Sequence, residues 1–140
     1  MIVLDTNVLS ELMKHRPSPE VLAWVMRQPR RELLTTSVSQ AELYYGLALL
    51  PEGRRKAALV AGAGRLFNDV FAGQILPFDG AAAIDYGEIR AMRRRAGRPI
   101  AALDAQIAAV ARSVGADLAT RNLNDFEGCG LELINPWSAN

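Results

Sequence analysis

Cysteine and histidine each occur once in the 140 residues, as Cys129 and His15. A lone thiol closes no internal disulfide, and one cysteine with one histidine falls short of the ligand set of a structural zinc site. His15 lies in the polar turn His15-Arg16-Pro17-Ser18-Pro19. Catalysis by paired histidines is thereby excluded, and a histidine-based triad is disfavoured. Lysine is nearly as scarce: of 16 basic residues, all but Lys14 and Lys56 are arginine. Net charge is only +1, so there is no global attraction to nucleic acid, and any anion binding must come from local patches. Long apolar runs are also missing. The stretch from Ala57 to Gly64 is far too short to cross a bilayer, and Asp5, Glu11 and Lys14 interrupt any signal-peptide core. The chain is expected to begin at Met1 and to work in the cytoplasm, away from membranes.

What is present is ordinary globular composition, 50% hydrophobic and 22% charged, which predicts one domain over 1–140 with its own core. Ile2-Val3-Leu4 reads as a buried strand that feeds a helix through Asp5-Thr6-Asn7. A second helix follows Pro17 and Pro19 and ends at Gln28-Pro29, and Leu33-Leu34-Thr35 reads as the next strand. Helices are expected over Ser37–Leu50 and Glu52–Phe71, then a strand at Ile75-Leu76-Pro77. A helix capped by Asp79 should run to Arg95, another from Leu103 to Val114, with strands at Asp117–Thr120 and Leu131–Ile134. Strands alternating with helices predict an α/β fold, a three-layer α/β/α sandwich with a mostly parallel central sheet.

In such folds ligands sit beyond the carboxyl ends of the strands, and the reactive side chains at that edge are acids. Asp5 closes the first strand, Glu42 and Asp104 fall in early helical turns, and Asp125 follows the strand ending at Thr120. Each also has a structural reading. Asp5 suits a helix start, Ser39-Gln40-Ala41-Glu42 has capping-box spacing, Asp104 complements a helix dipole, and Asp125 suits the turn Asn122-Leu123-Asn124-Asp125. Asp85 and Glu88 read as solvated charges on an exposed helix face. Taken together, however, carboxylates converging without lysine or histidine raise one another's pKa unless a cation neutralises them. An all-oxygen cluster suits Mg²⁺ or Mn²⁺, with Thr6, Asn7, Thr120 and Asn122 available for supporting or water contacts.

Four segments then become informative as a set: Leu4-Asp5-Thr6-Asn7-Val8-Leu9-Ser10-Glu11, Ser39-Gln40-Ala41-Glu42-Leu43, Leu103-Asp104-Ala105-Gln106-Ile107-Ala108, and Ala119-Thr120-Arg121-Asn122-Leu123-Asn124-Asp125-Phe126. In this order they resemble the PIN-domain ribonucleases, and the VapC-like toxins of toxin–antitoxin pairs in particular. The tail Asn135-Pro136-Trp137 is similar to the FitB branch. The resemblance implies a divalent-metal site, Mg²⁺ or Mn²⁺, with Asp5 and Asp104 as core ligands, Glu42 nearby and a fourth acid after the fourth strand. Since Asn122 is uncharged, that fourth role goes to Asp125. The implied activity is hydrolysis of RNA to 5′-phosphate and 3′-hydroxyl ends. The implied partners are a second copy of the chain and a cognate VapB-like antitoxin, with DNA touched only through the antitoxin.

Phosphate contacts are sought among Arg90, Arg93, Arg94 and Arg98, with Arg54, Arg55 and Lys56 as a second group. Arginines at a helix end equally complement its dipole. Trp24, Tyr44 and Tyr45 sit at helical spacing that favours core or interface packing over base stacking. Tyr45, Leu49, Leu50 and Val60 add apolar surface suited to self-association or capture of a partner helix. Two rival classes remain. A phosphoacceptor signalling domain needs a lysine on a late strand, and none follows Lys56. A catalytically silent module of the same fold that binds RNA or protein would have lost its acids, whereas Asp5, Glu42 and Asp104 are all retained.

Overall fold

A parallel strand buried on both faces needs apolar residues at every position, and Ile-Val-Leu meets that demand. In β1 (Ile2–Leu4), Val3 faces one core while Ile2 and Leu4 face the other. The structure, a computed structural model that describes residues 1–139, places β1 at the centre of a five-stranded sheet in the order β3-β2-β1-β4-β5, parallel throughout. Its neighbours are β2 (Leu33–Thr36) and β4 (Asp117–Ala119), with Val3 opposite Leu34 on one side and Leu118 on the other. The edges are short strands, β3 (Ile75–Leu76) and β5 (Leu133–Ile134).

Helices cover both faces. Against Leu4, Leu33 and Ala119 pack α1 (Thr6–Leu12), α2 (Pro19–Arg27), α3 (Ser37–Ala48) and α4 (Arg54–Arg65), through Val8, Leu9, Val21, Trp24, Leu43 and Ala63. Against Val3, Leu34 and Leu118 pack α5 (Gly80–Arg95), α6 (Ala102–Ser113) and α7 (Leu123–Phe126), through Ile89, Ile107 and Phe126. The alternation of neighbouring strand residues between two cores is the three-layer α/β/α arrangement expected from the sequence.

Local chemistry explains most boundaries. Ser18 caps α2 with Pro19 in its first turn, and Asp79 caps α5 by accepting the Ala82 N–H at 3.0 Å. Gly97 and Gly115, at φ 71° and 70°, turn the chain out of α5 and α6 in a conformation other residues resist. The stretch expected as a helix over Glu52–Phe71 is less uniform: α4 starts at Arg54, and after Arg65 the chain widens into a π-helical turn, Leu66–Val70, that buries Leu66 and Phe67. The last strand pairs only at Leu133–Ile134, although the Glu132 carbonyl already accepts the Leu118 N–H at 3.0 Å. Among the described residues no helix is long and apolar enough to cross a membrane.

Candidate active site

The carboxyl ends of β1, β2 and β4 open onto one cleft. Asp5 follows β1 directly; its N–H donates to the Ala119 carbonyl at 2.9 Å, which extends the β1–β4 ladder by one residue. The side chain does two jobs at once. Oδ1 caps α1 by accepting the Thr6 N–H at 2.7 Å, and Oδ2 accepts the Thr120 hydroxyl at 2.8 Å. Only 5% of Asp5 is exposed, and that burial raises its pKa, with further upward push from Glu42 and Asp125, while the bonds from Thr120 and Thr6 oppose the rise.

Glu42 does not form the capping box its spacing suggested. β2 runs straight into α3, so the last strand residue, Thr36, is the cap and its hydroxyl accepts the Ser39 N–H at 3.0 Å. Glu42 is thereby released to line the cleft. The Thr6 hydroxyl donates to Glu42 Oε1 at 2.8 Å and lies 2.9 Å from Ser39 Oγ.

Asp104 stands in the first turn of α6, where the capping residue Ala101 has no side chain to offer. Its carboxyl is pushed up to about 6 by burial first, then by the charges of Asp5, Asp125 and Glu42, with Arg93 opposing. Asp125, in α7, is exposed and makes itself felt at Asp5 and Asp104 through charge. Arg121 and Asn122, just before α7, line the cleft, and Asp125 is not among its lining residues.

Thr6, Asn7, Thr120 and Asn122 form the network beneath these acids. Thr120 Oγ1 accepts the Asn122 N–H at 3.1 Å and the Asn7 Nδ2 donor at 3.3 Å while giving its own proton to Asp5. Asn7 Oδ1 in turn accepts the Arg121 N–H at 3.3 Å. The cleft holds about 440 Å³ and is lined by Asp5, Glu42 and Asp104. Further lining residues were missed in the sequence: Ser10, Glu11, Lys14, Arg121 and Trp137. Glu11 is buried, accepts Lys14 Nζ at 3.0 Å and the Ser18 N–H at 3.1 Å, and is held below the usual carboxylate range chiefly by Lys14. The available signal was helical spacing, since Asn7, Ser10 or Glu11, and Lys14 recur every three to four residues on one face of α1 and its extension.

Among the described residues, Asp5, Glu42, Asp104 and Asp125 take part in no ion pair. Nor do three His, Cys, Asp or Glu side chains close on one point as a ready-made metal cage. The acids form an open, oxygen-only rim whose charges help raise the pKa of Asp5 and Asp104. Such a donor set fits a hard divalent cation that takes one or two carboxylates and keeps several waters.

The arginines expected at phosphate behave differently from one another. Arg93 is buried and its guanidinium is committed, Nε to the Arg98 carbonyl at 2.7 Å and NH1 to the carbonyls of Asp125 at 2.8 Å and Glu127 at 3.1 Å. It is unavailable to a phosphate and instead anchors the segment carrying Asp125. Arg98 reinforces that anchor through Glu127 at 3.1 Å and the Asn124 carbonyl at 3.2 Å. Arg90 lies over the Tyr86 ring, and Arg94 is exposed; neither lines the acidic cleft. Trp24 is core, as expected, and Tyr44 packs on Phe67 with ring centroids 5.7 Å apart. Cys129 is buried beneath Arg93, and burial raises its thiol pKa.

Comparison with known proteins identifies the family. A family profile described as PIN domain matches residues 2–127. The VapC ribonuclease Y4jK of Sinorhizobium fredii is 42% identical over 140 aligned residues, 98% of each chain. Toxin FitB of Neisseria gonorrhoeae is 37% identical over 137 residues, covering 98% of this chain and 99% of that one. The crystal structure of FitAcB from Neisseria gonorrhoeae superposes with a TM-score of 0.88 over 99% of both chains. The chain therefore belongs to the PIN-domain family, in its VapC- and FitB-like branch.

Proposed function

We propose that this protein is a VapC-like toxin, a divalent-metal-dependent ribonuclease that hydrolyses RNA phosphodiester bonds and is neutralised by a cognate antitoxin. Chain 1–140 acts as one catalytic unit within a homodimer, and contact with DNA comes only through the antitoxin. The observation that carries the reading is the meeting of Asp5, Glu42 and Asp104 in one cleft with no ion-pair partner among the described residues. Its relatives named VapC ribonuclease and Toxin FitB support the activity and the biological role.

Asp5 and Asp104 would hold Mg²⁺ or Mn²⁺, with Glu42 beside them and the charge of Asp125 at the rim. A cation there supplies Lewis-acid stabilisation of charge on the phosphoryl and leaving oxygens, and a more acidic water. The chain's own residues prepare that site. Thr120 favours and orients ionised Asp5 through its 2.8 Å bond. Thr6 uses only Oε1 of Glu42, which leaves Oε2 to accept a proton from the attacking water. Attack on phosphorus with loss of the 3′-oxygen gives a 5′-phosphate and a 3′-hydroxyl. Nothing in this chemistry uses the 2′-hydroxyl, so preference for RNA rests on strand shape and contacts outside the acids.

The test is cleavage of a mixture of structured RNAs by purified, antitoxin-free protein with Mg²⁺ or Mn²⁺, beside EDTA and the Asp104→Asn protein. Asp104→Asn removes charge with little change of volume, so it should keep the fold and lose at least about a hundredfold in rate, a typical loss when a transition-state charge stabiliser is removed. Cuts leaving 5′-phosphates that vanish in both controls support the reading. Equal cutting by the variant overturns it.

A further inference from the structure

The acids of the cleft repel the strand they are meant to cut, and a metal at Asp5 and Asp104 offsets that only locally. The same cleft is lined by two cations, Lys14 and Arg121. Lys14 is already engaged, with Nζ 3.0 Å from Glu11. Arg121 makes no ion pair among the described residues, is exposed, and lies with its guanidinium carbon 4.9 Å from the centroid of the Trp137 ring. Its backbone is tied to the catalytic network by the bond from its N–H to Asn7 Oδ1 at 3.3 Å. A guanidinium lying over an aromatic ring keeps its in-plane N–H groups directed outward as a fork, the geometry that accepts two oxygens of a phosphate.

We infer that Arg121, held on the Trp137 ring, is the subsite for a non-scissile backbone phosphate of the single-stranded RNA that enters the acidic cleft. The inference rests on the nuclease reading for its substrate. Arg121 binds the phosphate; Trp137 is a positioning residue that restricts where the guanidinium points. Because the contact is to backbone, it holds the strand in register without reading its sequence.

The experiment measures binding of a short fluorescein-labelled single-stranded RNA to the full chain by anisotropy, in EDTA and across a salt series, and separately the kcat and KM of metal-dependent cleavage. Arg121→Ala should weaken binding about tenfold, as loss of one charged hydrogen-bonding contact does. The slope of log affinity against log salt should fall by about 0.7, the signature of one phosphate released from a single strand. Arg121→Lys should retain the slope and part of the affinity. Trp137→Phe should stay near wild type, whereas Trp137→Ala should weaken binding without changing the slope. In cleavage, Arg121→Ala should raise KM and leave kcat unchanged. Wild-type affinity and slope in Arg121→Ala overturn the subsite, as does a wild-type chain that binds no RNA, or a fall in kcat at constant KM. RNA binding that depends on Arg121 without metal-dependent cleavage sustains the subsite and overturns the nuclease. Cleavage that depends on Asp104 but ignores Arg121 does the reverse.

Discussion

Asp104 concentrates the conflict at the heart of the site. Its carboxyl stands at about 6 against an ordinary 3.8, raised by burial and by three neighbouring carboxylates. A group whose folded pKa lies above its unfolded one binds a proton more tightly when folded, so metal-free stability falls as pH rises from about 4 to about 6 and the cost persists at neutrality. Removing that charge should stabilise the metal-free protein at pH 7.5. After discounting for solvent screening at a half-buried group, Asp104→Asn is expected to gain about 1–2 kcal/mol, or roughly 3–6 °C in Tm. The gain should vanish near pH 4, where the wild-type carboxyl is protonated as well. Thermal melts of both proteins in EDTA at the two pH values check this, and a variant that melts lower at pH 7.5 would contradict the placement of charge. In excess Mg²⁺ or Mn²⁺ the wild type should rise instead, since a ligand bound only by the folded state stabilises it.

At the scale of elements, the acidic rim depends on how α5, α6 and the segment around α7 are joined. Arg112 of α6 pairs with Asp85 at 3.3 Å and Glu88 at 2.7 Å on α5, so two acids that read as solvated charges in sequence are an interhelical clamp. Arg93 does the corresponding work from α5 to the segment of Asp125, with three backbone carbonyls accepting from one buried guanidinium. Arg93→Met keeps much of the apolar stem but strands those carbonyls. It should cost about 2–4 kcal/mol, seen as a lower urea midpoint with an unchanged m-value. A change under about 0.5 kcal/mol, the scale of an ordinary surface substitution, would show that water replaces the guanidinium without penalty.

On the scale of the whole molecule, a second cleft of about 530 Å³ borders the first, lined by Val38, Ala41, Tyr45, Leu103 and the shared Glu42. Tyr45 is 68% and Leu103 47% exposed, more apolar surface than a solvated helix face requires. If the proposed homodimer uses this face, Tyr45→Lys should place an unpaired charge in the interface and shift the mass measured by light scattering to that of one chain. A variant of undiminished mass would move the interface elsewhere. Since Glu42 lines both clefts, the same variant should be assayed for cleavage.

The alternation of strands and helices and the buried faces were legible in part because short-range rules govern them. Ile2-Val3-Leu4 had to be buried on both faces, Asp79 had to cap, and Gly97 and Gly115 had to end helices. The acids were legible as a set, since a parallel α/β sheet collects its ligand-binding side chains beyond the carboxyl ends of its strands. What the sequence could not show was who meets whom across the fold. Thr36 displaced the expected cap at Ser39 because a strand led directly into a helix. Arg93 turned inward because the carbonyls of Asp125 and Glu127 lie over it in space, more than thirty residues away in the chain. Arg121 and Trp137 became one unit only when the end of β4 and the turn after β5 came together. Element type and the chemistry at the strand ends follow from neighbours in the chain and from burial, so the sequence by itself determined them. Which polar groups satisfy one another depends on distances set by packing, and only the tertiary structure decided that.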